Sequence, residues 1–382
     1  MVRDAAAIVG IGQTAFGKQL SEPEPELAAT AVLAALRDAG IEPSDVDGLC
    51  SFTSETTEEV ALAKTIGAGD ITFFSQVGYG GGAGCATVGH AAMAVATKQA
   101  DVVVAWRSRK RGARGSRPWA AAPARLPIPG QWTRPFGLLR PVDEVAMLTR
   151  RYMHEYGATR RALGEVATAV RSHAERNPLA LMSGKPMTMD DYMNARWISE
   201  PLCLFDNCLE TDGALAVVVV GADRAADCPH PPAYIHAFAQ GLPRQHESMV
   251  NYFCEDPLTG PAWACAAKLW ARSELGPEDI DVAQIYDAFT PLILLSLEGY
   301  GFCGRGEAPD FVADGGLRWD GGRLPVNTSG GGLSEAYVHG YNLITEGVRQ
   351  IRGTSTSQVP DARACLVTSG EGVPTSALVL RG

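Results

Sequence analysis

The chain has nine cysteines, but no two form a Cys-x-x-Cys pair and no closely spaced histidine pair accompanies them. They are scattered at positions 50, 85, 203, 208, 228, 254, 265, 303 and 365, which argues against a structural zinc site and leaves most as small buried hydrophobes. Long hydrophobic runs are also missing. The longest, residues 215–220 and 102–106, are strand-sized and far short of a membrane span. Excess positive charge is absent too: 33 Lys and Arg stand against 43 Asp and Glu, a formal net charge of −10 that opposes a general nucleic-acid role. The N-terminus has no charged region followed by a long apolar stretch and a cleavage site, so it reads as the first strand of a cytoplasmic protein. With 46% hydrophobic residues in 382, the core needs no disulfide or metal.

What is present alternates. Residues 5–12 read as a strand, Glu24–Ala39 as a helix stopped by Gly40, 46–51 as a strand, 86–97 as a helix and 101–106 as a strand. Such alternation implies a mixed or parallel sheet covered by helices. The pattern then recurs. Residues 35–47 and 270–281 share helix, turn, proline, acidic pair and strand, with Pro43 matching Pro277 and Asp47 matching Asp281. The glycine triples at 80–82 and 330–332 form a second echo at similar offset, which argues for internal duplication. Between the halves lies a Pro-, Gly-, Arg- and Trp-rich stretch. Over residues 107–140 it carries nine Arg or Lys with Trp119 and Trp132, and three readings stand open: it steers an anionic substrate, packs on a partner, or is a solvated charged face. Residues 150–193 look helical. The expected division is 1–106 with 194–225, an inserted loop and cap region at 107–193, and 226–382.

Four loops carry small or polar residues just beyond strands, where α/β sites form. The first runs from Tyr79 through Gly81, Gly82, Gly84 and Cys85 to His90. Its glycines allow close backbone approach, and a helix N-terminus offers N–H groups to an oxyanion. The second is residues 285–291 with Tyr286 and Asp287, the third 327–342 with Asn327, Tyr337 and His339, the fourth 366–376 with Gly370 and Gly372.

In this order the loops resemble the catalytic loops of thiolases, especially the sterol-carrier branch. The resemblance implies a duplicated thiolase fold, α/β in class, with five αβαβα layers and two mixed sheets plus the inserted loop and cap. It also exposes departures. The family's nucleophilic cysteine falls on Gly81, its two loop histidines fall on Tyr286 and Tyr337, and the final cysteine loop falls near residues 368–372 without a cysteine. Claisen chemistry needs a thiolate and a base. Cys85 lies one helical turn past Gly81 and is expected to point along the helix.

What remains resembles the thiolase-like lipid-transfer-protein aldolases of actinobacterial steroid degradation. That resemblance implies retro-aldol cleavage of a steroid β-hydroxyacyl-CoA, from a 17-hydroxy steroid C22-CoA to a 17-ketosteroid and propionyl-CoA. No cofactor is implied beyond the CoA thioester as substrate. It also implies a homodimer, and a small OB-fold partner completing a heterotetramer. Site roles follow as expectations. Backbone donors at Gly81, Gly82, Gly84, Gly370 and Gly372, with Asn327, hold the thioester oxygen. Tyr286 or Tyr337 is the base, helped by His339 and Asn327; alternatively a tyrosine is the acid and His339 or Asp287 the base. No metal, nucleic acid or membrane enters. The rival classes are a cysteine-dependent acyltransferase, a non-catalytic acyl-CoA or lipid carrier, and a scaffold subunit.

Overall fold

Pro23 and Gly40 bracket the first helix, α1 (Glu24–Ala39). Glu24 and Glu26 sit in its first turn, where the helix dipole favours carboxylates, and Gly40 closes it in the left-handed conformation. The computed structural model describes residues 3–110, 131–245, 249 and 254–382. The strands are β1 (Ala6–Gln13), β2 (Gly48–Phe52), β3 (Phe73–Val77), β4 (Val102–Arg109), β5 (Trp197–Ser199), β6 (Leu202–Cys203), β7 (Gly213–Gly221), β8 (Ala233–Gly241), β9 (Val282–Gln284), β10 (Ala364–Thr368) and β11 (Thr375–Arg381). The remaining helices are α2 (Glu59–Ile66), α3 (Gly84–Ala96), α4 (Pro141–Tyr156), α5 (Arg160–Arg176), α6 (Met189–Met193), α7 (Ala222–Ala225), α8 (Pro261–Trp270), α9 (Thr290–Gly299), α10 (Ala308–Val312) and α11 (Tyr341–Arg352).

The duplication is visible in the strand order. One half runs β2-β4-β7-β1 and the other β9-β10-β11-β8. Polarity matches at each step: β2 lies parallel to β4 and β9 to β10, and the other neighbours within each half are antiparallel. The two mixed sheets expected from the sequence meet at β1 and β8, through two residue pairs, Ala7 with Tyr234 and Ile8 with Ala233. They therefore form one hydrogen-bonded order of nine strands.

Side-chain alternation assigns the layers. On the outer face of the first half, Val9, Val104, Trp106, Ala216 and Val218 pack with α1 residues such as Leu27, Val32 and Leu36. On the inner face, Ile8, Val103, Ala105, Val217 and Val219 join the larger core with residues of α3 and α11. Helices α3 and α11 touch strands of both halves and form the middle layer, while α8 covers β8 and β11 from outside. The β7 strand is buried along its whole length, which is why its sequence is an unbroken apolar run.

The matched aspartates do the same work twice. Asp47 accepts from the N–H groups of Asp101 and Val102 at the start of β4, at 2.8–3.0 Å. Asp281 accepts from Arg363 and Ala364 at the start of β10, at 2.8 and 2.9 Å. The glycine triples likewise share a topological slot. One follows β3; the other follows Val326, which bridges in parallel to Ala283 of β9 as β3 pairs with β2. The slots differ in length: α3 begins at Gly84, but α11 only at Tyr341.

Two local expectations need correction. Strand β4 runs on to Arg109, so Arg107 belongs to the sheet and not to the excursion after it. Residues 177–188, expected to be helical, form a non-helical link between α5 and α6. Residues 111–130, including Trp119, lie outside the described residues, whereas Trp132 is exposed.

Candidate active site

The four loops converge. The Gly370 N–H donates to the Gly81 carbonyl at 2.8 Å, the Ser369 hydroxyl accepts from the Cys85 N–H at 2.8 Å, and the Ser376 hydroxyl donates to the Gly82 carbonyl at 2.7 Å. The second and fourth loops join where the Tyr286 N–H donates to the Thr368 hydroxyl at 3.0 Å.

Over this surface lies Tyr286. A Cβ added at Gly81 would run into its hydroxyl oxygen and Cζ, and would sit 2.9 Å from Cε2. Gly81 does not have the left-handed backbone that demands glycine. Space requires glycine there, because the phenol fills the volume that any side chain at 81 would need. On its other side Tyr286 packs against Gly340, where an added Cβ would meet Cδ2 at 2.7 Å.

The Tyr286 and Tyr337 hydroxyls are hydrogen-bonded, and their rings meet edge to face with centroids 6.0 Å apart. Both side chains are buried. Burial pushes the Tyr286 phenol well above its ordinary range, and the neighbouring Tyr337 pushes it the same way. A standing tyrosinate at Tyr286 is therefore disfavoured.

Asp287 and Asn327 are brought into the same neighbourhood but serve the backbone. Asp287 accepts from the Gly332 and Leu333 N–H groups at 2.7 and 3.1 Å, and burial raises its carboxyl to about 6. Asn327 accepts from the Ile285 N–H at 2.7 Å and donates to the Ile285 carbonyl at 2.8 Å. Together they fix the strand end that carries Tyr286 to the turn leading to Tyr337. The expected roles of Asn327 as a thioester contact and Asp287 as a base are not what these bonds favour. Two of the expected glycine donors are likewise engaged: the Gly82 N–H bonds the Tyr79 carbonyl at 3.0 Å, and Gly370 bonds Gly81.

His339 faces Tyr337 edge to face, centroids 5.7 Å apart, in a left-handed backbone with φ of 53°. Its Nδ1 accepts from Arg107 Nε at 3.2 Å. A guanidinium has only protons to give, so Nδ1 carries a lone pair and the neutral ring's proton is on Nε2. Arg107 in turn bonds Glu55 at 3.0 Å and the Ser54 carbonyl at 3.1 Å, and stacks over Phe52 at 5.0 Å. Sequence reasoning missed Arg107 and Glu55. The available signal was phase, since Val103, Ala105 and Arg107 share the inward face of β4.

Cys85 points away from the phenols: its thiol donates to the Val367 carbonyl at 3.4 Å, and burial pushes it up to about 12. A nucleophilic thiolate is not available there. Glu335, beyond the second glycine triple, is enclosed by Ser329, Asn342 and Asn177 at 2.6–3.3 Å and raised by burial to about 7. Beside the glycine loop, a cleft of about 310 Å³ is lined by residues including Tyr79, Gly82, Gln240, Leu242 and Pro374. Among the described residues no His, Cys, Asp and Glu cluster is placed to hold a metal ion, and no helix is long and apolar enough to cross a membrane.

The thiolase C-terminal domain-like family model matches residues 244–380. The 17-hydroxy-3-oxo-4-pregnene-20-carboxyl-CoA lyase of Mycobacterium tuberculosis is 50% identical over 388 residues, covering 100% of both chains. The steroid side-chain-cleaving aldolase of Thermomonospora curvata is 51% identical over 383 residues, covering 98% of this chain and 97% of that one. The chain belongs to the thiolase-like, steroid side-chain-cleaving aldolases. The solved Ltp2-ChsH2(DUF35) aldolase superposes with a TM-score of 0.94 at 50% identity, covering 100% of this chain and 98% of that one. Human mitochondrial 3-ketoacyl-CoA thiolase shares the fold alone, with a TM-score of 0.69 at 14% identity over 100% of this chain and 99% of that one.

Proposed function

We propose that the protein is a lyase that cleaves a 17-hydroxy steroid C22-CoA by retro-aldol reaction, releasing a 17-ketosteroid and propionyl-CoA with no covalent acyl-enzyme. Full-length identity of about one half to aldolases with this activity in their names supports the reaction. The observation that carries the site is the Tyr286 phenol standing over Gly81, in the volume a nucleophile's side chain would take.

The hydrogen-bonded phenols suit a neutral relay. The substrate β-hydroxyl proton passes to one phenol oxygen, that phenol's proton passes to the other, and the second phenol's proton goes to the α-carbon. The hydroxyl O–H electrons become the ketone π bond, and the Cα–Cβ pair becomes the new C–H bond. Protons and electrons balance within the substrate, so the step requires no redox cofactor. Neither tyrosine need stand as a phenolate, consistent with burial raising Tyr286. Gly81, Gly84 and Gly372 remain the proposed backbone donors to the thioester oxygen as it becomes an enolate.

The assembly is also a proposal. β3 is an edge strand with Phe74 exposed, which suits pairing with a second copy. The small OB-fold partner completing a heterotetramer is supported by the paired name of the Ltp2-ChsH2(DUF35) aldolase. A cytoplasmic setting, and the division into halves around residues 107–193, belong to the same reading.

The test is product analysis by mass spectrometry on a 17-hydroxy steroid C22-CoA, with and without the partner subunit. Wild type is expected to give the 17-ketosteroid and propionyl-CoA. Tyr286→Phe and Tyr337→Phe are each expected to lose about 10²–10⁴-fold in rate while still binding acyl-CoA. Binding without carbon–carbon cleavage, even with the partner, would make the chain a carrier or scaffold.

A further inference from the structure

A buried chain of charge stands behind the tyrosines. Arg107 and Glu55 are 0% and 1% exposed at their side chains and form an ion pair at 3.0 Å. Ser108 binds the same carboxylate through its N–H at 2.8 Å and through its hydroxyl. Removing two charges from water is costly, and replacing such pairs by apolar residues is often neutral or stabilising, so stability alone explains this pair poorly. What the pair holds is specific: Arg107 Nε reaches His339 Nδ1, and His339 packs on Tyr337.

We infer that Arg107 is a positioning residue that keeps His339 neutral, with its proton on Nε2, so that no positive charge arises beside the Tyr286–Tyr337 pair. This rests on the aldolase reading of those tyrosines. An imidazolium at that distance from Tyr337 would favour a phenolate and interrupt a relay that runs on neutral phenols. Arg107 prevents it twice, by repelling a second cation and by filling the Nδ1 lone pair. Glu55 compensates the guanidinium and orients it. Among the described residues, Tyr337 faces the His339 ring, Tyr286 is bonded to Tyr337, and Tyr341 lies two residues on in sequence. Glu24 of α1 acts on Glu55. None of these supplies a cation that could replace Arg107.

The experiment uses the full complex and two readouts: the pH dependence of kcat/KM, and the titration of the His339 ring by NMR, assigned with His339→Asn. In wild type the His339 resonance is expected to stay flat from about pH 5.5 to 8, straddling the ordinary histidine value. In Arg107→Gln it is expected to titrate near pH 6.5, with kcat/KM falling about tenfold per pH unit below that. Because Arg107→Gln leaves Glu55 uncompensated and can fail to fold, Glu55→Gln/Arg107→Gln serves as the second variant, with the same expectation. Arg107→Lys, which restores a cation, is expected to flatten both curves. A wild-type His339 that titrates near pH 6.5, or variants that lose activity equally at every pH with a flat His339 resonance, would overturn the inference. Should wild type cleave no steroid acyl-CoA, the aldolase reading fails while the NMR titration still decides the state of His339.

Discussion

The two halves agree at one end of their strands and differ at the other. Asp47 and Asp281 tie the starts of β4 and β10 with the same bonds, and the strand orders match. At the opposite ends, equivalent slots have parted. In the first half a short glycine turn leads directly into α3. In the second the slot is drawn out before α11 and carries Tyr337 and His339. The halves complement each other, since the second half's Tyr286 takes the volume that Gly81 leaves free in the first. Scaffold constraints have preserved what both halves need, and the site has been built from what each half changed.

The sharpest way to break this complementarity is Gly81→Ala. Its Cβ must displace the Tyr286 ring, and misplacement of a reacting group by about an ångström can cost on the order of 10²-fold in rate. The neighbour Gly80 makes the contrast. Its φ of 51° requires glycine for the backbone, and an added Cβ meets nothing within 4 Å. Gly80→Ala is therefore expected to cost about 1–2 kcal/mol of stability with cleavage near wild type. Steady-state kinetics beside urea denaturation separates the two; equal kinetic loss in both would remove the claim that Tyr286 is what Gly81 accommodates.

The shared strand-start ties predict a smaller and symmetrical effect. Asp47→Ala and Asp281→Ala each remove a carboxylate accepting two backbone N–H groups, and each is expected to lose about 1–3 kcal/mol in denaturant unfolding. A large effect in one half and none in the other would show that the halves no longer use this device alike.

The mildest prediction concerns pH. Glu371, buried in the fourth loop and bonded to the Ala262 N–H, is raised by burial from 4.5 to about 8, and Glu335 to about 7. A raised carboxyl binds its proton more tightly in the folded state, so its contribution to stability is lost as pH rises from the unfolded value through the folded one. Tm is expected to decline between about pH 5 and 8. Glu371→Gln is expected to flatten the upper part of that decline.

Much of the fold was legible because it rests on periodicity and caps. Glu24–Ala39 matches the helix α1 residue for residue, and the aspartate echo marked a real repeat. At the site, the sequence located Tyr286, Tyr337 and His339 together. It did not show that Asn327, Asp287 and Gly370 are already engaged, because their partners are distant in the chain. Arg107 and Glu55 were hidden for the same reason. Arg107 opens what reads as a basic loop, yet it is a fully buried residue on the inward face of a strand that runs on to Arg109.

The most direct test of a thiolase fold working without an acyl-enzyme is intact-protein mass spectrometry during turnover of a 17-hydroxy steroid C22-CoA by the complex. Unmodified chain mass throughout, while propionyl-CoA accumulates, is the predicted result. An acyl adduct that forms and decays at the rate of turnover, mapped to Cys85 or any other cysteine, would contradict it.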